Sequence, residues 1–117
     1  MRTEFDQFCS NEAHWLDDYA LFMALKSKLR GAKLMDWPED LLKRQPSALA
    51  RARSELAVET DEIRFGQFLL GRQGKRLKDY AREHGIFLIG DLPFFVSLDS
   101  CDVWATPMDS YATIACP

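Results

Sequence analysis

Apolar residues near the start of the chain recur at the spacing of an α-helix. Between residues 11 and 30, the apolar residues lie three, four or seven positions apart: Trp15, Tyr19, Phe22, Met23 and Leu29. Asn11 is a suitable N-cap, and Gly31 suits the left-handed position just past the last turn. The pattern predicts one helix over residues 11–30, with a single apolar face turned toward a core.

Two prolines mark the starts of further helices. Pro38 precedes two acidic residues and predicts a short helix over 38–43, and Pro46 opens a helical stretch that runs to His84. That stretch is too long for one uncapped helix, so we expect a break at about Thr60, which can cap a second helix. The predicted buried positions of the second helix are Ile63, Phe65, Phe68, Leu69, Leu77, Tyr80 and Ala81.

A continuous apolar run follows the last helix. Ile86-Phe87-Leu88-Ile89 lies between Gly85 and Gly90 and is too short for a helix. Such a run is typical of a strand buried on both faces, so we predict a parallel strand near 86–90. Asp91 comes directly after it, at the end where α/β proteins gather their ligands.

One strand cannot form a sheet, and the rest of the sequence predicts no partner for it. A barrel of eight strands and eight helices needs about 250 residues, whereas this chain has 117. We therefore expect an α/β protein segment that is predominantly helical, an incomplete fragment of a (β/α)8 barrel.

Composition excludes several classes of partner. Fifteen basic and 18 acidic residues give a net charge of −3, with the basic residues interspersed, so no nucleic-acid partner is expected. No apolar run reaches the roughly 18 residues of a membrane span, and the N-terminus does not resemble a signal peptide. The three cysteines are widely spaced, which favours free thiols in a reducing cytoplasm. Cys9 and His14 could supply two ligands to a zinc ion, but the sequence has no second pair of ligands to complete the site, so no metal site is expected.

Three segments together resemble one enzyme family. They are WLDDYALF at 15–22, Trp37-Pro38, and GIFLIGDLPFFVSLDSCDVWA at 85–105. The combination is similar to the 4-α-glucanotransferases (amylomaltase, or disproportionating enzyme) of glycoside hydrolase family 77. The resemblance covers residues 5–107, so we expect a partial barrel segment over 1–107. The tail over 108–117 does not resemble the family. A truncated or frameshifted gene would produce such a short unrelated tail.

The resemblance implies an activity and a set of partners. Family members are cytoplasmic, cofactor-free barrel enzymes that transfer a segment of α-1,4-glucan to the 4-hydroxyl of another glucan, a maltooligosaccharide or glucose. The mechanism retains configuration and uses two carboxyl groups about 5–5.5 Å apart. Asp91 matches the family's sugar-binding Asp. The nucleophile in its Arg-x-Asp-His context, the acid/base Glu and the third Asp match nothing in this sequence, so we assign no catalytic residue to it.

Several alternatives stay open at this stage. Asp91 is either a sugar ligand or a turn residue, and Asp99 and Ser100 are either further substrate contacts or the start of a short helix, with Asp99 as its cap. Trp104 either packs at the barrel rim or touches glucan. For the chain as a whole, the alternative to a glucanotransferase segment is a non-catalytic remnant that binds glucan or a partner weakly. We expect the isolated 117 residues to be inactive and prone to aggregate.

Overall fold

The computed structural model describes residues 1–91 and 96–106, and within these ranges the chain is helical. The predicted tail at 108–117 lies outside the described residues. The elements are α1 (Arg2–Asn11), α2 (Ala13–Lys28), a 3₁₀ turn (Leu34–Asp36), α3 (Glu39–Leu42), α4 (Pro46–Glu55), α5 (Ala57–Glu83) and α6 (Cys101–Ala105). None of the described helices is long and apolar enough to cross a membrane.

Glycine and proline set several helix ends as predicted. Gly31 and Gly85 follow α2 and α5 with φ of +78° and +69°, values that favour glycine because it has no Cβ. Pro46 occupies the first turn of α4, where a missing N–H costs nothing. The Gly31 N–H donates to the carbonyl of Lys26 at 2.8 Å, which closes α2.

Two predicted boundaries are wrong. The helix expected over 11–30 is divided at Glu12, and Asn11 is the last residue of α1 instead of a cap. The break expected at Thr60 lies at Leu56, a buried residue between α4 and α5. Thr60 sits inside α5, where its hydroxyl donates to the carbonyl of Ala57 at 2.9 Å instead of capping.

The main core is built around α2. Apolar side chains meet there from α2, the 3₁₀ turn, α4 and α6, and from the residues that directly follow the 3₁₀ turn and α4: Leu21, Phe22, Ala24, Leu25, Leu34, Trp37, Leu49, Ala52, Leu56, Val103 and Trp104. Trp37 lies between two of the aromatic rings, with centroids 5.3 Å from Phe22 and 5.7 Å from Trp104. This core joins residues that are more than 80 positions apart in the sequence.

A smaller aromatic cluster attaches α1 to α5. The Phe5 ring lies 5.5 Å from Phe65 and 5.7 Å from Phe68, in edge-to-face geometry. Phe68 is buried as predicted, but the apolar face of α5 emerges from the packed layer toward its C-terminal end, where Leu77 and Tyr80 are exposed.

The predicted parallel strand near 86–90 is wrong for this structure. Residues 86–90 form no strand, and Phe87 and Ile89 are 91% and 95% exposed. A strand is stabilised by hydrogen bonds to a neighbouring strand, and no strand occurs in the described ranges to supply them.

Candidate functional site

Asp91 is exposed and directly follows the apolar segment 86–90. Its carboxylate makes no hydrogen bond or ion pair with another described residue. The turn predicted to follow it, with Pro93, lies outside the described residues.

Asp99 is held by two other parts of the chain. Its Oδ1 accepts a hydrogen bond from the backbone N–H of Leu34 at 2.9 Å, and its Oδ2 pairs with the ammonium group of Lys26. The hydrogen bond from Lys26, followed by the one from Leu34, holds the pKa of the Asp99 carboxyl below its usual range. Both carboxylate oxygens are therefore engaged by the protein.

Ser100, not Asp99, caps α6. The Ser100 hydroxyl accepts from the N–H of Val103 at 3.3 Å and donates to the carbonyl of Ser97 at 2.6 Å. The predicted cap at Asp99 was one residue early, because the carboxylate turns instead toward Lys26.

Trp104 lies in the core and is 2% exposed. Its indole N–H donates to the carbonyl of Leu41 at 2.9 Å, and the guanidinium of Arg44 lies 4.3 Å from its ring centroid. The ring thus packs against Arg44, Phe22 and Trp37 in the core.

Arg44 is a structural residue that the sequence pattern did not reveal. It has φ of +55°, stacks on Trp104, and pairs with Asp18 at 2.9 Å. Its Nη1 is buried without an acceptor among the described residues. Asp17, the neighbour of Asp18 on α2, is paired as well, with Arg64 at 3.1 Å. No local pattern indicates these pairs, because their partners lie 26 and 47 residues away.

The thiols do not form a reactive or metal-binding centre in the part of the chain that is described. Cys9 and Cys101 are free and partly buried. Burial raises the pKa of Cys101 to about 11, and burial also raises the pKa of Cys9. Among the described residues no group of three potential ligands comes together for a metal ion.

Asp99, Ser100 and Trp104 thus lie together at and next to α6, and no hydrogen bond or ion pair among the described residues joins Asp91 to them. Three of the four predicted substrate contacts are engaged with protein groups. Asp91 is the one whose polar atoms remain available in the described structure.

Comparison with known proteins gives a consistent family. The family model described as 4-alpha-glucanotransferase, glycoside hydrolase family 77, matches residues 1–113. The chain is 48% identical over 106 residues to the 4-alpha-glucanotransferase of Thermus thermophilus, covering 91% of this chain and 21% of that protein. It is 44% identical over 104 residues to the Synechocystis 4-alpha-glucanotransferase, covering 89% and 21%.

A solved structure agrees with these matches. The amylomaltase from Streptococcus agalactiae in complex with acarbose superposes with a TM-score of 0.85 at 34% identity, over 89% of this chain and 21% of that one. The chain therefore spans about a fifth of the length of the relatives it matches. On the extent of the family match, the chain belongs to the 4-α-glucanotransferase family, glycoside hydrolase family 77.

Proposed function

We propose that this chain is a segment of a 4-α-glucanotransferase, an enzyme that transfers part of an α-1,4-glucan to the 4-hydroxyl of an acceptor glucan or glucose. The observation that carries the proposal is the match of residues 1–113 to the family model. The agreement of the helical layer with an amylomaltase structure, at a TM-score of 0.85, supports it.

In the complete enzyme, residues 86–90 become a strand of a (β/α)8 barrel. Their exposed apolar side chains support this, because a barrel strand is covered on both faces. Burying one fully exposed Ile, Leu or Phe side chain contributes about 1.5–3 kcal/mol, so burying Phe87 and Ile89, which are 91% and 95% exposed, would contribute roughly 3–6 kcal/mol. Burial of these side chains would therefore stabilise the barrel.

Asp91 is the proposed sugar ligand of this segment. It is exposed, and its carboxylate has no partner among the described residues. An ionised carboxylate accepts charge-assisted hydrogen bonds from two sugar hydroxyls at once. The substrates we propose are α-1,4-glucans and maltooligosaccharides, and the acarbose in the Streptococcus agalactiae complex supports this class of ligand.

A cytoplasmic location is also proposed. Cys9 and Cys101 are free thiols, which persist in reducing compartments.

The 117 residues alone are expected to be inactive, because neither carboxyl group of a retaining pair matches this sequence. Purified chain incubated with maltotriose is expected to yield neither glucose nor longer maltodextrins above a boiled control, as measured by anion-exchange chromatography. Transfer above that control would show that the assignment of the catalytic groups is wrong.

A chimera tests the function itself. Residues 1–106 replace the matching segment of the Thermus thermophilus enzyme, to which the chain is 48% identical. We expect the chimera to disproportionate maltotriose. A chimera that folds by circular dichroism but transfers no glucosyl unit would favour the non-catalytic remnant.

Within the chimera, Asp91→Asn is expected to lower kcat/KM by about 10- to 150-fold, the equivalent of losing a charged hydrogen bond worth roughly 1.5–3 kcal/mol. Asp79→Asn is the matched control, because Asp79 pairs with Lys75 on the surface of α5, 3.2 Å away. Equal values of kcat/KM for the two variants would show that Asp91 does not bind the sugar and would favour its alternative role as a turn residue.

A further inference from the structure

The Asp99 carboxylate joins three segments that are distant in sequence. Lys26 lies on α2, 73 residues away, and Leu34 begins the 3₁₀ turn, 65 residues away. One oxygen accepts from each partner. The carboxylate therefore fixes the chain before α6 against both α2 and the 3₁₀ turn.

The backbone around Asp99 is arranged to present that carboxylate. The Asp99 N–H donates to the hydroxyl of Ser97 at 3.2 Å, and the Ser100 hydroxyl donates to the Ser97 carbonyl at 2.6 Å. Five residues beyond Asp99, the indole of Trp104 is anchored on Leu41. The segment is thus attached to the helical layer at two points.

We infer that Asp99 and Lys26 form a positioning pair for the segment that leads into α6, and that Asp99 does not bind the sugar itself. Its two carboxylate oxygens are already engaged, one by the ammonium group of Lys26 and the other by the backbone N–H of Leu34. The statement about the sugar rests on the proposed function.

The charges around Asp99 favour an ion pair with Lys26 that remains intact at mildly acidic pH. Lys26 faces it from α2, while Lys33 and Asp36 flank it beside the 3₁₀ turn. Because the pKa of Asp99 is lowered, its carboxyl group is fully ionised, and the ion pair fully formed, at any pH above the usual pKa of an Asp side chain. It is lost only as pH falls through that lowered value.

The amide proton of Leu34 reports the pair directly, because it donates to the carboxylate. In the 117-residue chain, its NMR shift is expected to titrate with a midpoint below the value of about 3.9 for an ordinary Asp. Asp99→Asn is expected to abolish the titration while keeping an acceptor for the N–H. Lys26→Met is expected to raise the midpoint.

Lys28→Met is the matched control. Lys28 lies two residues along the same helix and pairs with Glu55 at 2.7 Å, so it should leave the Leu34 midpoint unchanged. A midpoint that does not move in Lys26→Met, or that moves equally in Lys28→Met, would overturn the pair. A Leu34 shift that responds to added maltotriose would assign Asp99 to the sugar and also overturn the inference.

Hydrogen exchange tests whether the pair holds the following segment. The Trp104 N–H, bonded to the Ser100 carbonyl at 3.2 Å, is expected to exchange about tenfold faster in Asp99→Ala than in the parent chain. Glu55→Ala is expected to leave it unchanged, and equal exchange in the two variants would contradict a positioning role. Neither measurement uses catalysis, so an inactive chimera would refute the proposed function while leaving the pair between Asp99 and Lys26 standing.

Discussion

Replacing Trp104 by alanine should remove the central support of the core. The indole is 2% exposed and contacts Phe22, Trp37 and Arg44. Truncating a buried Trp to Ala costs about 3–5 kcal/mol through lost burial and the cavity left behind. The Leu41 carbonyl would also lose its donor, which costs about 1–3 kcal/mol more where no water replaces it.

These terms overlap, so we expect Trp104→Ala to lower the free energy of unfolding by about 4–6 kcal/mol. That is comparable to the whole stability of a small domain, roughly 5–15 kcal/mol. The assay is urea unfolding followed by circular dichroism at 222 nm. The variant should unfold at a much lower urea concentration, or lack a cooperative transition altogether.

Two further variants make the test specific. Trp104→Phe keeps most of the ring and loses the indole donor, so it should cost less than the alanine variant. Trp15→Ala removes an indole that is 37% exposed and that donates to the carboxylate of Glu12, just before α2, at 2.5 Å, so it should cost least. Equal losses for Trp15→Ala and Trp104→Ala would refute the reasoning that places Trp104 at the centre of the core.

Four other outcomes follow from the backbone, the exposed segment and the thiols. Gly74→Ala should stabilise the chain by about 0.5–1 kcal/mol in thermal unfolding, because Gly74 is inside α5 with open space around it. Gly85→Ala should destabilise it by about 1–2 kcal/mol in the same assay, because of its positive φ. Ile89→Lys should reduce self-association in sedimentation velocity more than Val58→Lys, since Val58 lies outside the apolar run. At pH 8 the Cys101 thiol should react slowly with a disulfide reagent and speed up only as pH approaches 11.

The helix ends were predictable where one residue determines them. Gly31 and Gly85 adopt left-handed φ, and Pro46 sits in a first turn, all from local stereochemistry. The junction at Leu56 was not predictable in this way, because its position depends on which side chain enters the core. Thr60 offered a better local cap, but tertiary packing decided the boundary.

The strand and the candidate site depended on distant parts of the chain. Residues 86–90 have the composition of a buried strand, but a strand needs neighbours that the described residues do not contain. For Asp99, the sequence predicted a helix cap or a substrate contact, because its partners at positions 26 and 34 could not be inferred from the local pattern. Asp91 was proposed from its place after the apolar run and from its match to the family's motif, and its role as a sugar ligand stays a prediction.

The composition of the main core has a consequence for the order in which the chain folds during synthesis. Leu49 emerges from the ribosome 55 positions before Trp104, a delay of about 3–11 s at 5–20 residues per second. Throughout that interval, Phe22 and Trp37 lack the contact with the indole of Trp104 that covers them in the folded chain. A nascent chain stalled before residue 104 should therefore recruit chaperones, and one stalled well after it should release them.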